Sequence, residues 1–288
     1  MSRAGGLINN EVAKSKSLNT ETIVSQNLLG LKSEARLEEF FFSLRKRKLL
    51  AACIQETWRH GSEILDNRDC RLFLTGLKKD DMKSNRGEQG VGIALSGKGV
   101  AAWKDAGSVL HDDLGARVIA IRLNLKDVSS RSVPVFLVSA YCPVGDASTE
   151  IWDEFFSQLD ACVARKEKED LLVVGTDCNS SIGTMNRSSH LGMASVGPYG
   201  CSHVNDAGVR FRSYLETNNF AAATTFFQKK TYETWIHPRS KKGHQIDHFI
   251  TAKKNFGRFM DAGRTSPLIG SDHMAVMCKL RVPHVKNS

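Results

Sequence analysis

No stretch of this 288-residue chain approaches the roughly 18 consecutive apolar residues that a membrane-spanning helix needs. The N-terminus lacks the apolar core of a secretory signal, so no export is expected. The 7 cysteines (Cys53, Cys70, Cys142, Cys162, Cys178, Cys201 and Cys278) are odd in number, scattered, and never spaced as CxxC. That argues against a disulfide framework or a cysteine zinc site, and fits reduced thiols in the nucleus or cytoplasm. Lys14 and Lys16 are too few to make a nuclear address. No linker, repeat or low-complexity segment divides the chain. One domain is therefore expected over residues 20–282. Residues 1–19, polar and aperiodic, read as a disordered tail, and 283–288 as a short C-terminal tail.

What is present begins with positive charge. Lys+Arg 40 against Asp+Glu 31 gives a formal +9. Such a surface suits a polyanionic partner through steering and counterion release, although many basic proteins bind no nucleic acid.

Hydrophobic patterning gives interspersed strands and helices. Leu37, Phe40, Phe41 and Leu44 fall at helical spacing, so a helix is expected over 34–47. A second is expected from Thr149, as N-cap, to about Lys166, with Ile151, Phe155, Leu159 and Val163 a turn apart. A third is expected over 206–218. The runs 49–54 and 171–174 are apolar throughout, as in strands buried on both faces. Further strands are expected at 22–25, 71–77, 90–95, 117–125, 134–141, 221–227, 232–236, 245–250 and 274–280. Glycines and an Asp pair predict turns between 95 and 117, and 180–206 reads as a long functional loop. This pattern predicts an α/β domain of two sheets packed face to face with helices outside.

Polar motifs sit just beyond the apolar runs. Gln55-Glu56-Thr57 follows one and Gly175-Thr176-Asp177-Cys178-Asn179 ends another. Gln245-Ile246-Asp247 and Ser271-Asp272-His273 come later. Glu56 is the type of ligand a hard cation such as Mg²⁺ accepts. Asp177 and Asn179 alternate and would share a face of an extended segment, the carboxylate handling water and the amide a phosphoryl oxygen. A histidine beside a carboxylate, His273 with Asp247, is held in one tautomer with a raised pKa. It could stabilise a pentacovalent phosphorus or, if neutral, act as a base. Asp272 can serve a metal or its waters. Tyr141, at a strand end, and Asn27 could bond the phosphate. Taken singly, each of these residues has an ordinary reading at a surface, a turn or in packing. Together they supply the parts for metal-assisted cleavage of a phosphate ester.

The order Asn27, Glu56, Tyr141, Asp177-x-Asn179, Asp247, Asp272-His273 resembles the endonuclease/exonuclease/phosphatase superfamily over roughly residues 20–282. The resemblance implies a DNase I-like fold, a four-layer sandwich of two mixed β-sheets flanked by helices. It implies Glu56 and Asp272 as ligands of Mg²⁺, with Mn²⁺ as a substitute, and Asp177 positioning the attacking water beside Asn179. Asp247–His273, Tyr141 and Asn27 would contact the scissile phosphate. The segments Thr224-Thr225-Phe226-Phe227-Gln228, Thr234-Trp235, Gly197-Pro198-Tyr199-Gly200 and Asn205-Asp206-Ala207-Gly208 look like the apurinic/apyrimidinic-endonuclease-like domain of non-LTR retrotransposons. That implies DNA as partner, nicking that leaves a 3′-hydroxyl, and a reverse transcriptase domain that is absent from this chain.

Three positions depart from the family pattern. Leu29 stands where the repair enzymes commonly carry an acidic metal ligand. His244 stands where an aromatic helps form an abasic-sugar pocket, which argues against specific abasic cleavage. His248 replaces a Tyr, with a change of packing expected. Phe227 or Trp235 could stack on a base, with the core the expected place for both. The alternatives are a phosphoesterase of the same fold acting on inositol phosphate, sphingomyelin or a nucleotide, and an inactive nucleic-acid-binding copy. No apolar membrane-docking loop favours the lipid substrate. Alanine at Glu56 or His273 is expected to abolish cleavage and leave the fold intact.

Overall fold

Strand β1 (Thr20–Asn27) runs into helix α1 (Glu34–Lys46), which returns the chain to β2 (Ala51–Gln55), parallel to β1. The computed structural model describes residues 20–81, 88–126, 132–185 and 194–282, so both expected tails lie outside the described residues. The Ser33 hydroxyl caps α1 by accepting from the Arg36 amide. Strands β3 (Glu63–Asn67), β4 (Cys70–Thr75) and β5 (Val91–Leu95) complete one side of the sheet. Helix α2 (Gly97–Asp105) follows where turns were expected. Ser96 caps it, and Gly99, Ala102 and Trp103 form its buried stripe.

The second sheet contains β6 (Leu110–His111), β7 (Val118–Lys126) and β8 (Ser132–Tyr141). Helix α3 (Thr149–Val163) crosses to β9 (Leu171–Asp177), which lies parallel to β8. Its cap position is Ser148, not Thr149, whose hydroxyl instead accepts from Arg210. Helix α4 (Asp206–Thr217) leads to β10 (Phe220–Ala222). The strand expected over 221–227 stops there, because Ala223–Thr225 turns into a 3₁₀ helix. A small hairpin of β11 (Trp235–Ile236) and β12 (Gly243–His244) precedes β13 (Asp247–Ala252), β14 (Phe259–Thr265) and β15 (Ala275–Arg281).

The strand orders are β14-β15-β1-β2-β5-β4-β3 and β10-β13-β9-β8-β7-β6. Each sheet is mixed, with one parallel pair joined through a helix at its centre. Side-chain alternation builds the layers. Ile23, Cys53, Phe73 and Ile93 point inward and meet Ile121, Leu137, Val173 and Phe249 of the other sheet. Val24, Ala52 and Ile54 point outward and are covered by Leu37, Phe40, Phe41 and Leu44 of α1. Trp152 and Phe155 of α3, with Phe211 and Leu215 of α4, cover Val138, Leu172 and Val174. Burying each such side chain contributes roughly 1.5–3 kcal/mol of transfer free energy. The result is the expected four-layer α/β sandwich. No helix among the described residues is long and apolar enough to cross a membrane.

Candidate active site

The two parallel pairs end at the same edge of the sandwich, and their registers bring the polar motifs together. Asn27 pairs with Gln55, Tyr141 with Asp177, and Asp177 with Asp247 across β13. His273 enters from the loop before β15. Its amide donates to Ser271 Oγ (3.1 Å), and that hydroxyl donates to the Asn27 carbonyl (2.8 Å). Beneath them, Gln55 ties the sheets by donating to Ser25, Ser139 and the Gly175 carbonyl. Rigid strand ends therefore carry the chemistry.

Asn27 is the hub. Its Nδ2 donates to Glu56 Oε1 and to Asp177 Oδ2, both at 2.9 Å. Tyr141 also donates to Glu56 Oε1, at 2.8 Å. Glu56 itself sits at φ 50, in the left-handed region, where the chain turns out of β2. His273 Nδ1 lies 3.0 Å from Asp247 Oδ2, and its Nε2 lies 4.0 Å from Asp177 Oδ2. Thr234 Oγ1 holds the start of β13 by accepting from the amides of Ile246 and Asp247.

All three partners of this triad are buried. Burial alone would push the His273 imidazole down, but the Asp247 carboxylate, followed by Asp177, outweighs it and raises the pKa to about 10. The shift favours the protonated imidazolium at neutral pH, the form suited to a charged stabiliser. Burial and then Asp247 push Asp177 upward, opposed by His273 and by the bond from Asn27. Burial, reinforced by the Glu56 and Asp177 carboxylates, puts the Tyr141 phenol far above its usual range and keeps it a donor.

Some placements differ from expectation. Asn179 does not continue an extended strand; β9 ends at Asp177 and Asn179 turns at φ 44. Its amide N–H donates to Asp177 Oδ1 (2.9 Å) and its side chain to the Cys142 carbonyl (3.0 Å), so an Asx turn puts Asn179 at the cleft with the fully buried Asp177 bonded behind it. Trp235 is not core. It lines a cleft of about 480 Å³ together with Glu56, Tyr141, Asn179, Asp272 and His273. Phe227, by contrast, packs against the core, stacked on Phe256. His244 lines the cleft, 3.3 Å from Ser181 Oγ and edge-on to His203. His248 turns away to Thr224 (2.7 Å), and burial lowers its pKa to about 4. Leu29 offers no ligand; it is half-exposed at φ 51, its amide held by Asn27 Oδ1.

Two groups at the site were not anticipated. The Arg117 guanidinium lies over the Tyr141 ring (5.3 Å) and donates to the Tyr141 and Cys142 carbonyls. The Trp58 indole donates to Glu56 Oε2. A long-range ring contact has no local sequence signal, although Trp58 directly follows Gln55-Glu56-Thr57.

Asp177, Asp247 and His273 bring a ligand atom each within 4.8 Å of one another, a spacing a cation could use. Their geometry is that of a histidine paired with a carboxylate, its Nδ1 already bound to Asp247. The other carboxylates lining the cleft among the described residues are Glu56 and the exposed Asp272 and Asp146; of these, Glu56 and Asp272 are the two that the sequence motifs mark as cation ligands.

The fold is shared with known nucleases. The endonuclease domain of TRAS1, a telomere-specific non-LTR retrotransposon, superposes with a TM-score of 0.59 at 15% identity, over 92% of this chain and 100% of that one. An AP endonuclease from Leishmania major gives 0.61 at 15%, over 92% and 88%. A 3′-5′ exonuclease from Neisseria meningitidis gives 0.59 at 17%, over 90% and 99%. No protein-family model and no curated protein sequence matches the chain. At these identities the likeness establishes the DNase I-like four-layer fold.

Proposed function

We propose that this protein is a metal-dependent phosphodiesterase that nicks DNA to leave a 3′-hydroxyl, of the non-LTR retrotransposon type. The observation that carries the reading is the His273 ring held between the buried carboxylates of Asp247 (3.0 Å) and Asp177 (4.0 Å) in a cleft that also presents Glu56, Tyr141 and Asn179. The formal +9 charge supports a polyanionic substrate, and the retrotransposon-like segments and the fold shared with TRAS1 support the type.

Glu56 and Asp272 fit a hard cation by their donor chemistry, and Mg²⁺ or Mn²⁺ held there would supply Lewis-acid neutralisation of phosphate charge. The remaining roles belong to the chain. Asp177, fixed by Asn27 and the Asn179 amide, orients a water and takes its proton. The oxygen attacks phosphorus, the P–O3′ bond breaks, and the leaving oxygen is reprotonated from water to give the 3′-hydroxyl and a 5′-phosphate. His273 Nε2–H faces the charge that builds on the non-bridging oxygens. Tyr141 holds Glu56 and lies beside the phosphate position, while Asn179 has a second amide N–H to offer it.

End analysis tests the polarity. Nicked product should prime a DNA polymerase directly; a product that primes only after phosphatase treatment would contradict the assignment.

A further inference from the structure

Of the chain's 4 tryptophans, Trp103 and Trp152 are buried. The other two meet the two carboxylates assigned to the metal. Trp58 Nε1 donates to Glu56 Oε2 at 3.3 Å. Trp235 Nε1 donates to Asp272 Oδ2 at 3.1 Å. The two indoles come from different sheets' loops, one beyond β2 and one in the β11–β12 hairpin, and converge on equivalent chemistry.

Both rings are fixed before any ligand arrives. Trp58 lies so close over Gly30 that a Cβ there would stand 2.5 Å from its Cε3. Gly30 also needs its φ of +101, so an L side chain is disfavoured at that position on both counts. Trp235 is set edge-on to His237, with ring centroids 5.4 Å apart, and tilted against His244 at 5.8 Å. The backbone of Trp235 bridges to that of His273, next to Asp272.

From this geometry we infer that Trp58 and Trp235 are positioning residues for the divalent cation. Each indole N–H fixes the torsion of one ligand carboxylate. On Glu56 the division is explicit: Asn27 and Tyr141 occupy Oε1 and Trp58 marks Oε2. A carboxylate held in this way is pre-oriented for the cation, and loss of the donor restores rotational freedom that binding must then remove. The inference rests on the metal reading of the proposed function.

The test is a titration of the full chain with Mn²⁺ alone, followed by tryptophan emission and by calorimetry, without DNA. Mn²⁺ is paramagnetic and quenches an indole beside its ligand. Wild type should quench and saturate. Trp58→Phe and Trp235→Phe keep an aromatic ring and remove the N–H. Each should lose part of the quenching and need about tenfold more Mn²⁺ or beyond. Trp103→Phe, which removes a bond to the Val109 carbonyl away from the cleft, should lower thermal stability and leave the Mn²⁺ midpoint where it was. Midpoints equal to wild type in both Phe variants would overturn the positioning role while leaving the metal reading intact. A shift of the same size in Trp103→Phe would also overturn it, since the effect would then be general loosening. Absence of Mn²⁺ binding by wild type would remove the metal reading and this inference with it.

Discussion

His273 is charged because two buried carboxylates outweigh its own burial, and that fixes what its removal does. His273→Ala leaves Asp177 and Asp247 close together and without a counter-charge. We expect a loss of about 3–5 kcal/mol in urea unfolding, typical of a broken buried pair, besides a loss of cleavage. The variant is therefore expected to lose stability together with activity. Glu56→Gln keeps an oxygen for Asn27 and Tyr141, so cleavage should fall about a hundredfold or more with little change in unfolding midpoint. The pH dependence has a definite sign. The folded pKa of about 10 lies above the ordinary 6.5, so the stabilisation is complete below pH 6.5 and declines as pH rises toward 10. Cleavage should rise as Asp177, raised to about 7 by burial and then by Asp247, ionises, and fall again as His273 loses its proton at higher pH; a pH–rate profile checks this, and an alkaline loss of activity centred near 6.5 would contradict it. Asn27, Glu56, Tyr141, Asp177, Asn179, Asp247, Asp272 and His273 were all legible as polar residues at the ends of apolar runs. Trp58, Trp235 and Arg117 were not, because a tryptophan or arginine in sequence carries no mark of the carboxylate or ring it will meet.

Among the elements, α1, α3, β2 and β9 were legible because each buries a long periodic or continuous apolar face. Others lacked that signal, the two-residue β6 among them. Helix α2 opens on Gly97 and Gly99, poor helix formers, and relies on the Ser96 cap. Strand β3 is an edge strand with no buried residue, β12 has two residues, and β14 is broken by Asp261 and Gly263. Their places are set by neighbours in the sheet, which periodicity does not reveal. The closeness of the sheets under the site is itself testable. A Cβ at Gly175 would stand 2.7 Å from Cys53 Cβ and 2.9 Å from Ser25 Oγ. Gly175→Ala should cost about 1–3 kcal/mol by overpacking, read from thermal unfolding. Because β9 ends at Asp177, cleavage should fall as well. An unchanged melting temperature would show that the two sheets yield more easily than the geometry implies.

For the whole molecule, the registers of two parallel strand pairs and of β9 with β13 bring eight polar residues from six segments to one rim. The sequence order of motifs carried the layout of the rim only through family resemblance; distances and protonation came from the fold. The net charge of +9 adds a long-range term. DNA affinity should fall linearly in log Kd against log salt, with a slope counting phosphate contacts, whereas a salt-independent affinity would place recognition elsewhere. The central claim is metal-dependent phosphodiester cleavage at the cleft, and supercoiled-plasmid nicking with Mg²⁺ and with EDTA, run beside Glu56→Gln, tests it most directly. Nicked circles are expected from wild type with Mg²⁺ only. No nicking by folded wild type at any Mg²⁺ or salt concentration, or equal nicking by the variant, would contradict it.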